Sequence, residues 1–118
     1  MTASNFAAVE RFWDSINARD VEGYLATFTE TAVAYDPYSA PPLSSESARR
    51  AHLSGLLEIF PELEATLDFV CALADRTAVK WRVNARGVDG RAVTLEGIDI
   101  YRHAPDGRIA EMWGYFES

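Results

Sequence analysis

The chain of 118 residues is 48% hydrophobic and 12% aromatic, enough apolar material for one compact domain spanning residues 1–118. Its formal net charge of -7, with no basic stripe beyond Arg49 and Arg50, argues against nucleic acid and anionic membranes as partners. No basic stretch precedes an apolar run at the start, and no segment approaches a membrane span, so a cytoplasmic location is expected. The single cysteine, Cys71, cannot form an intramolecular disulfide and is interpreted as a small buried hydrophobic residue.

Helical spacing dominates the first half of the chain. Apolar residues recur every three or four positions over residues 4–18, which predicts an amphipathic helix. Asp20 can cap a short second helix, after which residues 32–36 are expected to be extended. A third helix is predicted to begin near Ser44 and Ser45 and to stop at Pro61, because proline removes a backbone donor and clashes with the preceding turn.

Alternation with a period of two marks the second half. Residues 79–85 alternate between apolar and polar side chains, as in a strand with one face on the core and one in water. Apolar residues also alternate over residues 67–73, and further strands are expected at 91–103 and 109–116. Three helices followed by an antiparallel or mixed sheet make an α+β fold. Such a sheet, curved around the N-terminal helices, forms a cone that encloses an apolar pocket.

Two aspartates interrupt the apolar, strand-like segments. Asp36 precedes Pro37, which stiffens the backbone, and is interpreted either as a general base or as a turn residue that bonds nearby amides. Alternation places Asp99 on the same strand face as Val93, Leu95, Gly97 and Tyr101, where a carboxyl group needs a partner or a raised pKa. The alternative for Asp99 is a salt bridge to Arg82 or Arg102. If both acids face one pocket, they can divide proton abstraction and hydrogen-bond donation between them.

Other polar residues give weaker signals. His52, in the third helix, and His103, at a strand end, lack the paired spacing of zinc ligands. They are interpreted as a helix-surface residue and a strand-end residue, and neither a metal nor an organic cofactor is expected. Glu62 and Glu64 could join Asp36 in a catalytic set, but the simpler interpretation is that both are solvated acids at a helix end.

Several segments occur in the same order as in ketosteroid isomerase. They are Val9-Glu10-Arg11-Phe12, Asp20 through Val33, Tyr35-Asp36-Pro37, and Gly97 through Arg102 followed by Asp106-Gly107-Arg108-Ile109. Over nearly its whole length the chain therefore resembles ketosteroid isomerase and, more broadly, the nuclear transport factor 2-like superfamily. That superfamily includes SnoaL-like proteins, polyketide cyclases and small epoxide hydrolases. The resemblance implies a single cone-shaped domain with a deep apolar pocket, and it makes a homodimer the expected assembly.

The resemblance also implies residue roles. Asp36 matches the general base that moves a proton beside an enone, and Asp99 matches a protonated aspartic acid that donates a hydrogen bond to the dienolate oxygen. Phe12 departs from the family, which has an oxyanion-hole tyrosine there; losing such a donor costs roughly 2.7 to 4 kcal/mol of transition-state stabilisation. A replacement could come from a phenol or an indole elsewhere: Tyr24, Tyr35, Tyr101, Tyr115, Trp13, Trp81 or Trp113.

Three functions fit these observations, all with an apolar small molecule as partner. The first is an isomerase-like enzyme that transfers protons on an apolar cyclic or polyketide-like ketone. The second is an epoxide hydrolase or polyketide cyclase that uses the same acids, and the third is a non-catalytic binding module. In each case the residues expected to line the pocket, besides the two aspartates, are Phe12, Trp13, Tyr24, Trp81 and Trp113.

Overall fold

The computed structural model describes residues 2–117, and their order confirms the α+β class. None of the helices in this range is long and apolar enough to cross a membrane. The elements are α1 (Thr2–Asn17), α2 (Val21–Ala26), β1 (Phe28–Tyr35), α3 (Glu46–Ile59), β2 (Glu62–Leu73), β3 (Arg76–Arg86), β4 (Ala92–His103) and β5 (Ile109–Glu117).

Side-chain caps define where the two shorter helices begin. The Asp20 carboxylate accepts a hydrogen bond from the backbone N–H of Gly23 at the start of α2. The Ser45 hydroxyl accepts one from the backbone N–H of Ala48 at the start of α3. Each cap satisfies a donor that the helix leaves unpaired, and replacing such a cap by alanine typically costs about 1 kcal/mol. Both predicted helix starts are therefore confirmed.

The five strands form one mixed sheet in the order β1-β5-β4-β3-β2. Strands β2 to β5 are a continuous antiparallel meander, whereas β1 pairs with β5 in parallel. Strand β1 begins at Phe28, four residues before the predicted start, and its last residue, Tyr35, pairs with Trp113. The parallel pairing therefore brings the residue after β1, Asp36, alongside Gly114 in β5.

The core lies between the helices and the inner face of the sheet. Phe12 of α1 is its aromatic centre, with ring centroids of four other aromatic residues 5.2 to 6.0 Å away: Trp13, Tyr24, Phe28 and Tyr101. Most of these contacts are edge-on or tilted, the geometry that aromatic quadrupoles favour. Each fully buried large apolar side chain contributes roughly 1.5 to 3 kcal/mol. Phe12 therefore anchors α1 and α2 to the sheet.

A register shift in β2 reverses the faces that its residues present. Leu67 and Phe69 pair with consecutive residues of β3, so Asp68 is an extra residue between them. Because successive strand residues point to opposite faces, one insertion sends Phe69 and every second residue after it outward. Cys71 is consequently exposed. The interpretation of Cys71 as a buried residue is wrong.

Candidate active site

A predominantly apolar cavity of about 140 Å³ lies between the helices and the inner face of the sheet. Its walls include aliphatic and aromatic side chains from α1, α3 and the central strands, such as Ile16, Leu56 and Val83. Six lining residues carry polar atoms: Trp13, Tyr24, Asp36, His52, Trp81 and Asp99. An apolar pocket with a few polar groups is the usual form of a small-molecule site.

Gly114 separates the two aspartates. A Cβ atom at Gly114 would lie 2.7 Å from Asp36 Oδ1 and 3.2 Å from Asp99 Oδ1. The two oxygens are therefore at most about 5.9 Å apart, the sum of these distances. Any side chain at this position would occupy the space between the carboxyl groups. Asp36 and Asp99, which lie 63 positions apart in the sequence, thus face one cavity.

Asp99 is held in the middle of β4 by two neutral donors. Its side chain is only 3% exposed. The Trp81 indole N–H donates to Oδ1 at 2.9 Å, and the Tyr101 hydroxyl donates to Oδ2 at 2.7 Å. The Trp13 indole N–H in turn donates to the Tyr101 oxygen at 2.9 Å, which leaves the hydroxyl proton for Asp99. The chain of bonds fixes the orientation of the carboxyl group.

Burial makes Asp99 a group that titrates near neutrality. Desolvation raises its pKa most strongly and the negative charge of Asp36 raises it further, to about 7, although the Tyr101 and Trp81 hydrogen bonds favour the ionised form. Near pH 7 both protonation states are therefore populated. In one state the carboxyl group can donate a hydrogen bond, and in the other it can accept one.

Asp36 has a different partner. Its Oδ2 lies 3.1 Å from His52 Nε2, and both side chains are partly exposed, at 25% and 31%. The hydrogen bond to Asp36 raises the pKa of His52, against the effect of partial burial. Oδ1 of Asp36 accepts no hydrogen bond from any residue in the described range. One carboxylate oxygen therefore remains available to a ligand.

Arg49 sets the position of α3, and hence of His52, against β1. Its Nη1 donates to the backbone carbonyl of Ala32 at 2.6 Å, and the guanidinium lies 5.0 Å from the centre of the Phe28 ring. His52 follows one helical turn later and meets Asp36 just beyond the end of β1.

The interpretation of His52 as a helix-surface residue is wrong, since it lines the cavity and bonds Asp36. The spacing of His52 from apolar residues further along the chain indicates that it lies on the same helix face as the cavity lining. His52 lies four residues before Leu56 and eight before Phe60, and all three line the cavity.

The remaining predicted site residues divide into two groups. Phe12, Trp13, Tyr24 and Trp81 line the cavity together with the aspartates. Trp113 does not: its ring lies nearly parallel to that of Tyr35, with centroids 6.2 Å apart. Residues alternate along β5, so Met112 and Gly114 point inward and Trp113 points to the other face. The prediction that Trp113 lines the pocket is wrong.

The other charged residues lie outside the cavity. Arg82 bonds Asp68, and Arg102 bonds Glu111, so neither forms the predicted alternative salt bridge with Asp99. Glu62 and Glu64 are exposed and do not join Asp36. Within the range that the structure describes, no group of three or more His, Cys, Asp or Glu side chains could hold a metal ion.

The sequence matches the family model described as a SnoaL-like domain over residues 9–112. The chain belongs to the SnoaL-like domain family. This membership places it in the expected nuclear transport factor 2-like superfamily. The matched segment includes both aspartates, His52 and most of the cavity lining.

Solved structures share the fold of this SnoaL-like protein. AclR of Streptomyces galilaeus, a candidate hydroxylase, superposes with a TM-score of 0.87 at 21% identity, covering 99% of this chain and 77% of AclR. SalBIII, an epoxide hydrolase/cyclase-like enzyme in pyran ring formation in the polyether salinomycin, gives 0.86 at 19% identity, covering 96% and 90%. RV0760c from Mycobacterium tuberculosis, in complex with estradiol-17β-hemisuccinate, gives 0.86 at 21% identity, covering 97% and 94%. At these identities the likeness shows a common fold.

Proposed function

We propose that this SnoaL-like protein is an isomerase-like enzyme that transfers protons on an apolar cyclic or polyketide-like ketone. Asp36 is the general base, and protonated Asp99 donates a hydrogen bond to the oxygen that becomes negative. The observation that carries this proposal is the presence of two carboxyl groups in different surroundings on one apolar cavity. Pairs of acids whose environments differ in this way are how enzymes assign the roles of acid and base.

The base assignment rests on the free oxygen of Asp36. Oδ2 is occupied by His52, and Oδ1 points toward Gly114 and the cavity. A ketone whose acidic C–H lies beside Oδ1 would lose its proton to Asp36 and regain it at another carbon. His52 holds the carboxylate in place during both steps. A positioned base of this kind typically contributes a 10²- to 10⁴-fold acceleration.

The donor assignment rests on the burial of Asp99. When the C–H proton leaves, negative charge develops on the ketone oxygen, and a protonated carboxyl group can donate a hydrogen bond to it. Trp81 and Tyr101 hold the Asp99 carboxyl group in one orientation. Preorganised donors in a water-excluded site are worth more than the same donors in water. The near-neutral pKa of Asp99 keeps a protonated fraction available at pH 7.

The test uses the change Asp36→Asn and a β,γ-unsaturated cyclic ketone, whose shift into conjugation is followed by ultraviolet absorption. We expect the wild-type protein to convert the ketone and the variant to lose at least about 100-fold in kcat/KM. Circular dichroism and thermal unfolding establish that the variant is folded. Asp106→Asn, which changes an exposed acid that does not line the cavity, is the matched control and should leave turnover intact. Equal turnover by wild type and Asp36→Asn would refute the base assignment.

A second candidate, epoxide opening, uses the same acids. Asp36 would take a proton from water or from a substrate hydroxyl, and Asp99 would protonate the opening epoxide oxygen. The Asp36–His52 pair favours this reading, because the partly exposed imidazole can carry the abstracted proton toward solvent. SalBIII, which shares the fold, is an epoxide hydrolase/cyclase-like enzyme. Conversion of a hydroxy-epoxide to a cyclic ether, followed by chromatography, would favour this candidate over the isomerase.

The binding module remains the third candidate. RV0760c shares the fold and was solved with a steroid derivative bound. Saturable binding of both ketone and epoxide without conversion of either would assign the protein to this class.

A further inference from the structure

Nearly all the hydrogen-bond donors around Asp99 are already used within the protein. The Trp13 indole donates to Tyr101, and the Tyr101 hydroxyl and the Trp81 indole both donate to Asp99. These three groups satisfy one another and cannot turn to a ligand without leaving a buried acceptor unpaired. Such a loss costs about 1 to 3 kcal/mol, so they are poor candidates for ligand binding.

Tyr24 is the exception among the cavity-lining phenol and indole groups. It lies on α2, its side chain is 3% exposed, and its ring packs against those of Phe12 and Phe28 at centroid distances of 5.2 and 5.3 Å. No hydrogen bond joins its hydroxyl to any residue in the part of the chain that the structure describes. Tyrosine hydroxyls in such surroundings usually find a partner.

The Tyr24 hydroxyl is in contact with open space. Among described residues, Arg49 Nε is the one fully buried side-chain nitrogen or oxygen atom without a hydrogen-bond partner. The partnerless Tyr24 oxygen is therefore not sealed in the core. Tyr24 lines the cavity, which is therefore the open space next to its side chain.

Burial, aided by the nearby carboxylates, keeps the Tyr24 hydroxyl in its donor form. Burial raises the pKa of Tyr24 most strongly, and the carboxylates of Asp36 and Asp99 raise it further, while Arg49 opposes them. Asp36 and Asp99 act on Tyr24 together because all three border the same space. The phenol therefore stays protonated at neutral pH and is a neutral donor on the cavity that the acid pair also lines.

We propose that the Tyr24 hydroxyl donates a hydrogen bond to the substrate oxygen, beside the one from Asp99. This proposal rests on the proposed function, in which that oxygen becomes negative. It names Tyr24 as a catalytic residue and the substrate as a molecule whose oxygen can accept two hydrogen bonds, such as a ketone carbonyl. A ligand that presents only donors at this point would leave Tyr24 without an acceptor.

The test compares Tyr24→Phe with Tyr115→Phe. Tyr24→Phe removes one oxygen and keeps the ring that packs on Phe12 and Phe28. Tyr115→Phe removes the same atom from an exposed tyrosine that stacks on Tyr38 outside the cavity, and is the matched control. We expect kcat/KM for the unsaturated ketone to fall about 100-fold in Tyr24→Phe and to stay unchanged in Tyr115→Phe.

A binding measurement separates this proposal from the proposed function. The infrared carbonyl stretch of bound 2-decalone, labelled with ¹³C at the carbonyl, reports hydrogen bonds to the ketone oxygen without turnover. We expect this stretch to move to higher frequency in Tyr24→Phe at both pH 6 and pH 8.5, and not in Tyr115→Phe. An unchanged band, or no bound ketone, would overturn the role of Tyr24 even if turnover is found. A shifted band without turnover would support Tyr24 and refute the isomerase.

Discussion

Asp36 and Asp99 carry the same carboxyl group and line the same cavity, but they lie in two different regions of the molecule. Asp36 follows the end of β1, is one-quarter exposed and bonds a histidine whose pKa it raises. Asp99 lies inside the sheet, is nearly inaccessible and bonds only neutral donors. Burial among neutral groups favours the carboxylic acid form of Asp99, whereas Asp36 meets a titratable partner near solvent. Local surroundings, rather than residue type, separate the two candidate roles.

The largest expected effect is a pH dependence of protein stability, which arises because ionising the buried Asp99 is unfavourable. Its pKa is raised from 3.8 to about 7 on folding, so the folded protein binds more protons than the unfolded chain between these values. The free energy of unfolding should therefore fall as pH rises from about 4 to about 7, by on the order of 4 kcal/mol from this group. Well above the folded pKa, where Asp99 is ionised in both the folded and the unfolded protein, this contribution no longer changes with pH.

The change Asp99→Asn should remove most of that pH dependence, because an amide does not titrate. Urea unfolding at pH 5 and pH 8 measures it as the difference in free energy of unfolding between the two conditions. Asp106→Asn is the control. The Asp106 carboxyl is exposed and its pKa is lowered, so it is ionised in both the folded and the unfolded protein between pH 5 and pH 8 and adds no pH dependence to the free energy of unfolding there. If wild type and Asp99→Asn lose the same stability between pH 5 and pH 8, Asp99 does not have the raised pKa on which its contrast with Asp36 rests.

The next effect concerns the space between the acids. Gly114→Ala places a Cβ 2.7 Å from Asp36 Oδ1, closer than real Cβ contacts, so Asp36 or the strand must shift. We expect turnover to fall by about 10- to 100-fold, since small misplacement of a catalytic group has effects of this size. Turnover and thermal unfolding are measured together.

Gly55→Ala is the matched control for Gly114→Ala. Gly55 lies in α3, and a Cβ there meets no atom within 4 Å. Alanine should stabilise the helix by about 1 kcal/mol and leave turnover unchanged. Full activity in Gly114→Ala would show that the two carboxyl groups do not work across this gap.

The smallest effect concerns the partner of Asp36. The pKa of His52 is raised on folding, so the stabilisation from its charged form is complete below the unfolded value of 6.5 and is lost as pH rises through the folded value. His52→Asn keeps a donor for Asp36 but cannot titrate. At pH 5.5 the variant should have a lower free energy of unfolding than wild type, by less than about 1 kcal/mol because the pair is partly exposed. At pH 9 the difference between variant and wild type should be smaller.

The same variant separates a positioning role from a structural one. A positioning role of His52 predicts that the pH profile of kcat/KM loses the limb that belongs to the imidazole. A profile of unchanged shape would mean that His52 does not contribute to the proton transfer.

Local patterns in the chain predicted the helices, strands and turns well. Asp20 caps the helix that it was expected to cap, and α3 begins at Ser45, one of the two serines near which a helix start was predicted, because a cap depends on residues within one turn. Alternation along a single regular strand placed Asp99 on the same face as Tyr101, and both residues are buried. The errors concern which face of a strand a residue occupies. An extra residue in β2, visible only in its pairing with β3, turns Cys71 outward. Which face of β5 packs on the core is decided by the assembled sheet, and Trp113 lies on the other face.

The amino-acid sequence by itself determined the fold class, the family resemblance and the two aspartates, since periodicity and residue type are local properties. Only the tertiary structure decided that Asp36 meets Asp99 across Gly114, that His52 bonds Asp36 and that Tyr24 lines the cavity with them. Each of these depends on pairing between elements far apart in the chain. Burial and hydrogen-bond partners, which set the charge of each group, exist only after that pairing.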